Sequence, residues 1–332
     1  MIELQNNSLS VSFPEVHPKA KCSVEFQRTL RVPDDNQDYP LPAGLGNFPM
    51  LPVDDHEVPA IWKRHGGIFF PMYQSEAMWI NFSSWRSDYP FAVKIAAGKI
   101  NAVTGKPWGN SLGGDPQDYV VVPAQRWLDG FCVSKDVVRQ FVAMPLGEGV
   151  TAEEQITGDG EWGGLQLIFY PMKAEEYAKR YEQPRVEEES DLCFESRLMF
   201  CRSAGYDMGL APGGRITQEI SEDSFGIDVW DTSVSSRCFV HLLNSEMYRK
   251  VTGQAPPTKP ITPKQYAEAN IPWFDYYLDG KSLPGSSILA GLDALGSALL
   301  KKGKKLEDNR PIEIAKTVSL GRQRHAFRDG EF

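Results

Sequence analysis

Gly66-Gly67-Ile68-Phe69-Phe70-Pro71-Met72 carries, in one short run, the features that decide the fold class. Isoleucine and phenylalanine suit a pleated, buried surface. A glycine pair opens the run, and a proline, which has no backbone N–H to give to a ladder, closes it. The segment reads as a short β-strand. It returns one hundred residues later as Ile168-Phe169-Tyr170-Pro171-Met172, with Gly163-Gly164 ahead of it and Glu176 in the register of Glu76. The match reads either as a chance likeness between β-rich segments or as a duplication, which would give two related β units around residues 66–77 and 163–177 with the same strand and exit geometry and an approximate twofold between them. No third copy occurs, which excludes solenoids and propellers.

The same texture extends in both directions. Dense turn residues, 29 Gly and 24 Pro, separate short runs rich in β-branched and aromatic side chains. Further strands are expected near residues 9–13, 22–32, 77–82, 91–96, 119–122, 137–144, 192–201, 215–220 and 311–320. In the run from Leu192, residues Leu192, Phe194, Leu198 and Phe200 fall on one face and Glu195 and Arg197 on the other, the period of two of a half-buried strand. The fold class is mainly β (α+β): an antiparallel β-sandwich or barrel-like body with a few short helices and a C-terminal helical extension. Residues 174–183 are good helix formers that stop before Pro184. Thr262-Pro263 is a cap and first-turn pair opening a helix to about residue 269. Residues 237–251 read in two ways: Arg237–Leu243 suits a strand, while Val240, Leu243, Met247 and Val251 repeat at helical spacing with Gly253 behind them, and the helix is favoured. Residues 286–302 carry the stripe Ile288, Leu292, Leu295, Leu299 and end in lysines, and are predicted to form the longest helix. The proline-rich stretch 251–263 divides the chain into a β-rich body, 1–253, and an extension, 254–332, packed upon it.

Composition narrows the class of function. With 332 residues the chain is long enough for two domains or one large one. Its net charge of −9 repels phosphate backbones and anionic membrane surfaces, so neither nucleic acid nor membrane is an expected partner. No basic and apolar leader opens the sequence and no stretch of 18 apolar residues occurs, so a cytoplasmic location is expected. Cys22, Cys132, Cys193, Cys201 and Cys238 are scattered and odd in number, and no disulfide is expected among them.

Motifs with chemistry are sparse. Gly109-Asn110-Ser111-Leu112-Gly113 matches the spacing of a hydrolase nucleophile elbow, but Lys106-Pro107-Trp108 stands where a buried strand is needed and Gly114-Asp115-Pro116 where a helix should start. It reads as a glycine-rich surface loop. The five histidines are far apart, and Cys238 with His241 lacks further ligands, so no metal site is expected. Asp34, Asn36 and Asp38 resemble the start of a calcium loop, with Tyr39 where glycine is required. No phosphate-cradling loop occurs and no cofactor is expected. What remains are aromatic platforms beside charges. Trp85, Arg86 and Asp88 form one group, and Asp228, Trp230 and Asp231 another. Flat rings with a few directional polar groups suit a polar small molecule or a glycan. Trp273, Phe274, Tyr276 and Tyr277 form an aromatic cluster that must be covered, either by docking onto the body or by a neighbouring subunit of a homo-oligomer.

Two functions follow as expectations. One is a non-catalytic binding or self-assembling protein; the other is an enzyme acting on a polar small molecule or glycan through the Asp228 and Asp231 carboxylates. Perturbed carboxylates gathered with an arginine in one deep pocket would favour the enzyme, and a broad apolar surface would favour assembly.

Overall fold

The computed structural model describes residues 1–82, 88–182, 207–276, 281–314 and 316–320. The strand Lys21–Thr29 shows how the sequence sets its layers. Cys22, Val24, Phe26 and Arg28 are buried while Ser23, Glu25 and Gln27 are half-exposed, so one face of the strand meets the core. This strand lies within a ten-stranded sheet that runs from Ile2–Gln5 through Ser8–Ser12, Lys21–Thr29, Ala77–Asn81, Val137–Pro145 and Met208–Thr217 to Asp38–Tyr39. Gly44–Asn47, Trp127–Leu128 and Gly130–Ser134 pair alongside it. A second sheet of seven strands runs Ile100–Asn101, Phe91–Ala97, Leu165–Pro171, Ser236–Leu243, Ile68–Pro71 and Leu51–Pro52, with Val120–Val122 beside Phe91–Ala97.

The two large sheets pack face to face, with Phe13 against Phe91 at 5.9 Å and both Phe26 and Phe48 against Phe70 at 5.2 and 4.8 Å. Their inner side chains form one continuous hydrophobic cluster. The result is a mainly β, sandwich-like α+β body, and the described residues form no closed barrel. Most ladders are antiparallel; Ser236–Leu243 with Ile68–Pro71 is a parallel exception. Every residue of Phe91–Ala97 and of Leu165–Pro171 is buried, so the middle of the second sheet is covered on both faces. Among the described residues no helix is long and apolar enough to cross a membrane.

The repeated segment occupies two strands that flank one shared neighbour. Ile68–Pro71 runs parallel to Ser236–Leu243 on one side, and Leu165–Pro171 runs antiparallel to it on the other. Both glycine pairs serve that neighbour. A Cβ on Gly67 would lie 2.1 Å from the Phe239 carbonyl oxygen, and one on Gly164 would lie 2.2 Å from that of Val240, with φ positive at both. Only glycine fits such an approach. Beyond the prolines the copies part: the first turns at Tyr73–Glu76 into the strand Ala77–Asn81, and the second enters the helix Ala174–Tyr181.

Three local expectations are corrected. Residues 237–251 are not one helix but the strand Ser236–Leu243 followed by the helix Ser245–Thr252, because Asn244 caps the helix by accepting from the Glu246 and Met247 amides. Cys238 and His241 consequently sit on opposite faces of a strand. The long helix over 286–302 is broken into Ser287–Ala290 and Leu295–Lys301. The Gln155 side chain takes up the backbone freed at Asp293, donating to its carbonyl at 3.0 Å and accepting from its amide at 2.8 Å. The strand expected at 215–220 begins earlier, as Met208–Thr217, through a Pro212-Gly213-Gly214 run that resembles a turn. A register shift opposite Arg139 and Phe141 accommodates Pro212, and a Cβ on Gly214 would lie 2.2 Å from the Pro33 carbonyl oxygen. The strand expected at 192–201, with Cys193 and Cys201, lies outside the described residues. Cys22, Cys132 and Cys238 are free and buried.

Trp273, Phe274 and Tyr276 of the aromatic cluster pack on their own chain. Trp273–Tyr276 pairs with Leu41–Pro42 on one side and Thr317–Leu320 on the other. Trp273 is 2% exposed and packs on Tyr39 and Tyr266, Tyr276 meets Trp127 at 4.7 Å, and Phe274 is half-buried against the core. Tyr277 lies outside the described residues. Replacing Trp273 by Ala is expected to cost about 3–5 kcal/mol and to lower the melting temperature while the mass in solution stays that of the wild type. An unchanged melting curve would contradict this packing.

Candidate functional site

Two segments, 117–127 and 219–223, are fastened together by side-chain amides. Gln117 donates to the carbonyls of Tyr119 and Ser221, at 2.8 and 3.2 Å, and accepts from the Asp223 amide at 2.7 Å. Gln125 repeats the arrangement, donating to Trp127 and Glu219 at 2.9 and 3.2 Å and accepting from Ser221 at 2.9 Å. Both glutamines are buried, so each replaces a missing stretch of β-ladder with a side chain that carries the same donor and acceptor as a peptide. A third segment follows, with the Leu283 amide donating to the Ile220 carbonyl at 2.7 Å and Ser286 reaching the Cys132 and Thr104 carbonyls at 2.9 and 2.6 Å.

Between these walls lies a cleft of about 820 Å³, within the range of small-molecule sites. Val103, Cys132 and Leu283 give it a buried apolar floor, and Ile227 and Ile288, 37% and 42% exposed, form apolar rims. Exposed Asp115, Glu222 and Lys106 supply its charges. Asp223 is engaged in the wall itself. Its carboxylate accepts from the Tyr119 hydroxyl at 2.7 Å, the Trp230 indole N–H at 2.8 Å, and the Phe225 and Gly226 amides at 2.8 and 3.3 Å. The Tyr119 hydroxyl is held protonated, first by burial and then by its bond to Asp223. Burial, helped by Asp136, raises the Cys132 thiol to about 12 and so removes it as a nucleophile.

The residues singled out in the sequence are distributed around this site. Trp230 is 1% exposed and supports the cleft wall from behind through Asp223. Asp228 is exposed, with its backbone carbonyl accepting from Lys173 at 2.8 Å. The Asp231 carboxylate accepts from the Ser233 amide and hydroxyl at 3.0 and 2.5 Å and borders a smaller hollow of about 360 Å³ with Glu15, Lys173 and Glu175. Asp88 is exposed at the outer end of a ring stack in which Tyr89 meets Tyr177 at 4.2 Å and Tyr177 meets Tyr181 at 5.0 Å. Burial first, and then the charges of Asp88 near Tyr177 and Tyr181 and of Asp231 near Tyr89, raise those hydroxyls. The fold thus brings Asp88 and Asp231 to one tyrosine stack and Trp230 to the cleft. Trp85 and Arg86 lie outside the described residues.

Asp223, Tyr119, Gln117 and Gln125 were not legible as site residues. One signal was present: Gln117-Asp118-Tyr119 and Gln125-Arg126-Trp127 share a glutamine two residues before an aromatic, and in both the glutamine donates to that aromatic residue's carbonyl. The calcium-like acids are ion-paired, Asp34 with Arg139 and Asp38 with Arg215. Among the described residues no group of three or more His, Cys, Asp or Glu could hold a metal ion. Gly109–Gly113 lies as a loop over the second sheet, with the Ser111 carbonyl accepting from Lys94.

Carboxyls raised by burial stand elsewhere in the interior. Asp129 is pushed up to about 7, partly offset by a 2.7 Å bond from Gln218. Glu76 is raised to about 6 against the opposing pull of Arg28 at 3.3 Å. Neither lines the cleft. Comparison of the chain with family models, with curated proteins and with solved structures finds no match.

Asp129 makes stability depend on pH in a defined direction. Its carboxyl goes from an ordinary 3.8 to about 7 on folding, so the folded state binds the proton more tightly. The resulting contribution is fully present below about pH 4 and is lost as pH rises through about 7. Asp129→Asn keeps the shape and removes the titration. The melting temperature of the variant relative to wild type is expected to climb between pH 4.5 and 8 in parallel melts, and a difference constant across that range would show that Asp129 does not titrate there.

Proposed function

We propose that the protein is a non-catalytic binding protein whose cleft holds an amphipathic small molecule carrying a positive charge. The observation that carries this reading is the division of labour among the polar groups of the cleft. Tyr119, Asp223, Gln117 and Ser286 spend their hydrogen bonds on the walls, and the Cys132 thiol is held protonated by burial. The charges left facing the cleft are Asp115 and Glu222 against Lys106, an acidic surplus beside the apolar Ile227, Pro284 and Ile288. Such a surface favours a cation with an apolar body, since desolvated apolar area supplies affinity and the carboxylates supply orientation. The acid–base alternative needs a raised carboxyl exposed to substrate. Asp129 and Glu76, which are raised, are instead enclosed by structural partners, and the raised Glu153 and Asp207 do not line the cleft.

The test is calorimetric titration with aryl-alkyl amines and with the carboxylic acids of the same skeletons. The amines are expected to bind and the acids not to, and the double variant Asp115→Asn, Glu222→Gln is expected to bind the amines at least about tenfold more weakly with an unchanged melting temperature. Equal binding of both sets, or binding unaffected by the double variant, would overturn the proposal.

A further inference from the structure

The solvent face of the ten-stranded sheet holds an arrangement that neither the cleft nor its proposed ligand involves. Pairing places Glu25 opposite Asn81 and Asn81 opposite Trp127, while Gln27 lies opposite both Trp79 and Asn47. These rows alternate with the buried Phe26, Ile80 and Leu128, so all six side chains share the outer face, and each is half-exposed. Trp79 and Trp127 meet nearly edge to face at 6.3 Å, and Tyr276 from the docked extension adds a third ring at 4.7 Å from Trp127. Around the rings the polar groups form a connected row. The Glu25 carboxylate accepts from Asn81 at 3.1 Å and from Gln27 at 3.4 Å, and Gln27 also donates to Asn47.

This face differs from an ordinary solvated sheet surface in two respects. Aromatic area is concentrated on strands whose outward neighbours are amides, where exposed rings leave apolar surface in water. The polar row is also incompletely used. Only one oxygen of Glu25 accepts hydrogen bonds from the described residues.

We infer that this face is a platform for a neutral glycan. The C–H faces of a sugar ring cover indole and phenol rings, and its neighbouring hydroxyls match amides and a carboxylate, which offer donors and acceptors side by side. Among the described residues the polar members of the row are three amides and one carboxylate, without a cation, so the complementary ligand is rich in hydroxyls and carries no negative charge. The strand ladder fixes the positions of the rings before binding, which limits the ordering cost for a flexible chain. The inference stands apart from the proposal for the cleft, since none of these residues lines it.

Affinity electrophoresis tests it with the full chain, using gels that contain laminarin, xylan, galactomannan or soluble starch, with heparin as the anionic control. At least one neutral polysaccharide is expected to retard the protein, and heparin is not. Trp127→Ala is expected to weaken that retardation at least about tenfold. Gln27→Ala with Asn81→Ala removes only surface amides and serves as the second variant should Trp127→Ala fold poorly; a comparable loss is expected at an unchanged melting temperature. Failure of all four neutral polysaccharides to retard the protein, retardation by heparin, or retardation unchanged in the folded variants would each overturn the inference.

Discussion

Burial of the strand pair Phe91–Ala97 and Leu165–Pro171 on both faces is the constraint from which the rest of the architecture follows. A strand covered on one side can alternate apolar and polar residues. A pair covered on both sides must find cover for every side chain. The inner face obtains it from the first sheet, through contacts such as Phe13 with Phe91. The outer face obtains it from the loop that follows Ile100–Asn101. That loop is held down by Lys94, which is 3% exposed, pairs with Asp118 at 2.6 Å and donates to the Ser111 carbonyl. A buried ammonium requires such partners, because its desolvation is otherwise uncompensated.

Covering a sheet with loops rather than helices leaves many peptide groups in the interior without a ladder, and buried or half-buried glutamines take their place. Gln117 and Gln125 bind the segment 219–223, Gln140 accepts from the Val32 amide and donates to the Leu30 carbonyl, and Gln155 takes up the helix break at Asp293. Each supplies a donor and an acceptor on a short stem, which is what an unpaired peptide needs. The cleft is a product of this device. Its walls are irregular segments whose spacing is set by amide clamps, and the Asp223 carboxylate completes them by gathering a phenol, an indole and two backbone amides.

The same logic separates structural from available chemistry. Raised carboxyls sit where the fold needs them, Glu76 beside Arg28 and Asp129 beside Gln218, and Glu153 accepts from the Gly163 amide near the turn that carries Lys99. Side chains with capacity to spare lie on surfaces: the acidic rim of the cleft, and the amide and indole row of the first sheet. Binding of the kind proposed would use faces that the interior has already made rigid.

Local chemistry alone determined the mainly β class. Period-two alternation, β-branched and aromatic runs and proline stops put most of the expected strands close to their observed places, and glycine pairs opened the runs at Ile68 and Leu165. It also gave the capped helix Pro263–Glu268 from Thr262-Pro263, since a cap and a fixed φ act within a few residues. What depended on distant partners was not legible. Residues 237–243 have helical spacing yet form a strand because Ile68–Pro71 and Leu165–Pro171 pair with them from both sides. Pro212-Gly213-Gly214 continues a strand because Val137–Pro145 supplies a register shift. Trp230 supports a wall rather than offering a platform because Asp223, brought close by Gln117, accepts its N–H. Local conformation is decided by a residue and its near neighbours, whereas burial, hydrogen-bond partners and the identity of a surface are properties of segments that meet only when the chain has folded.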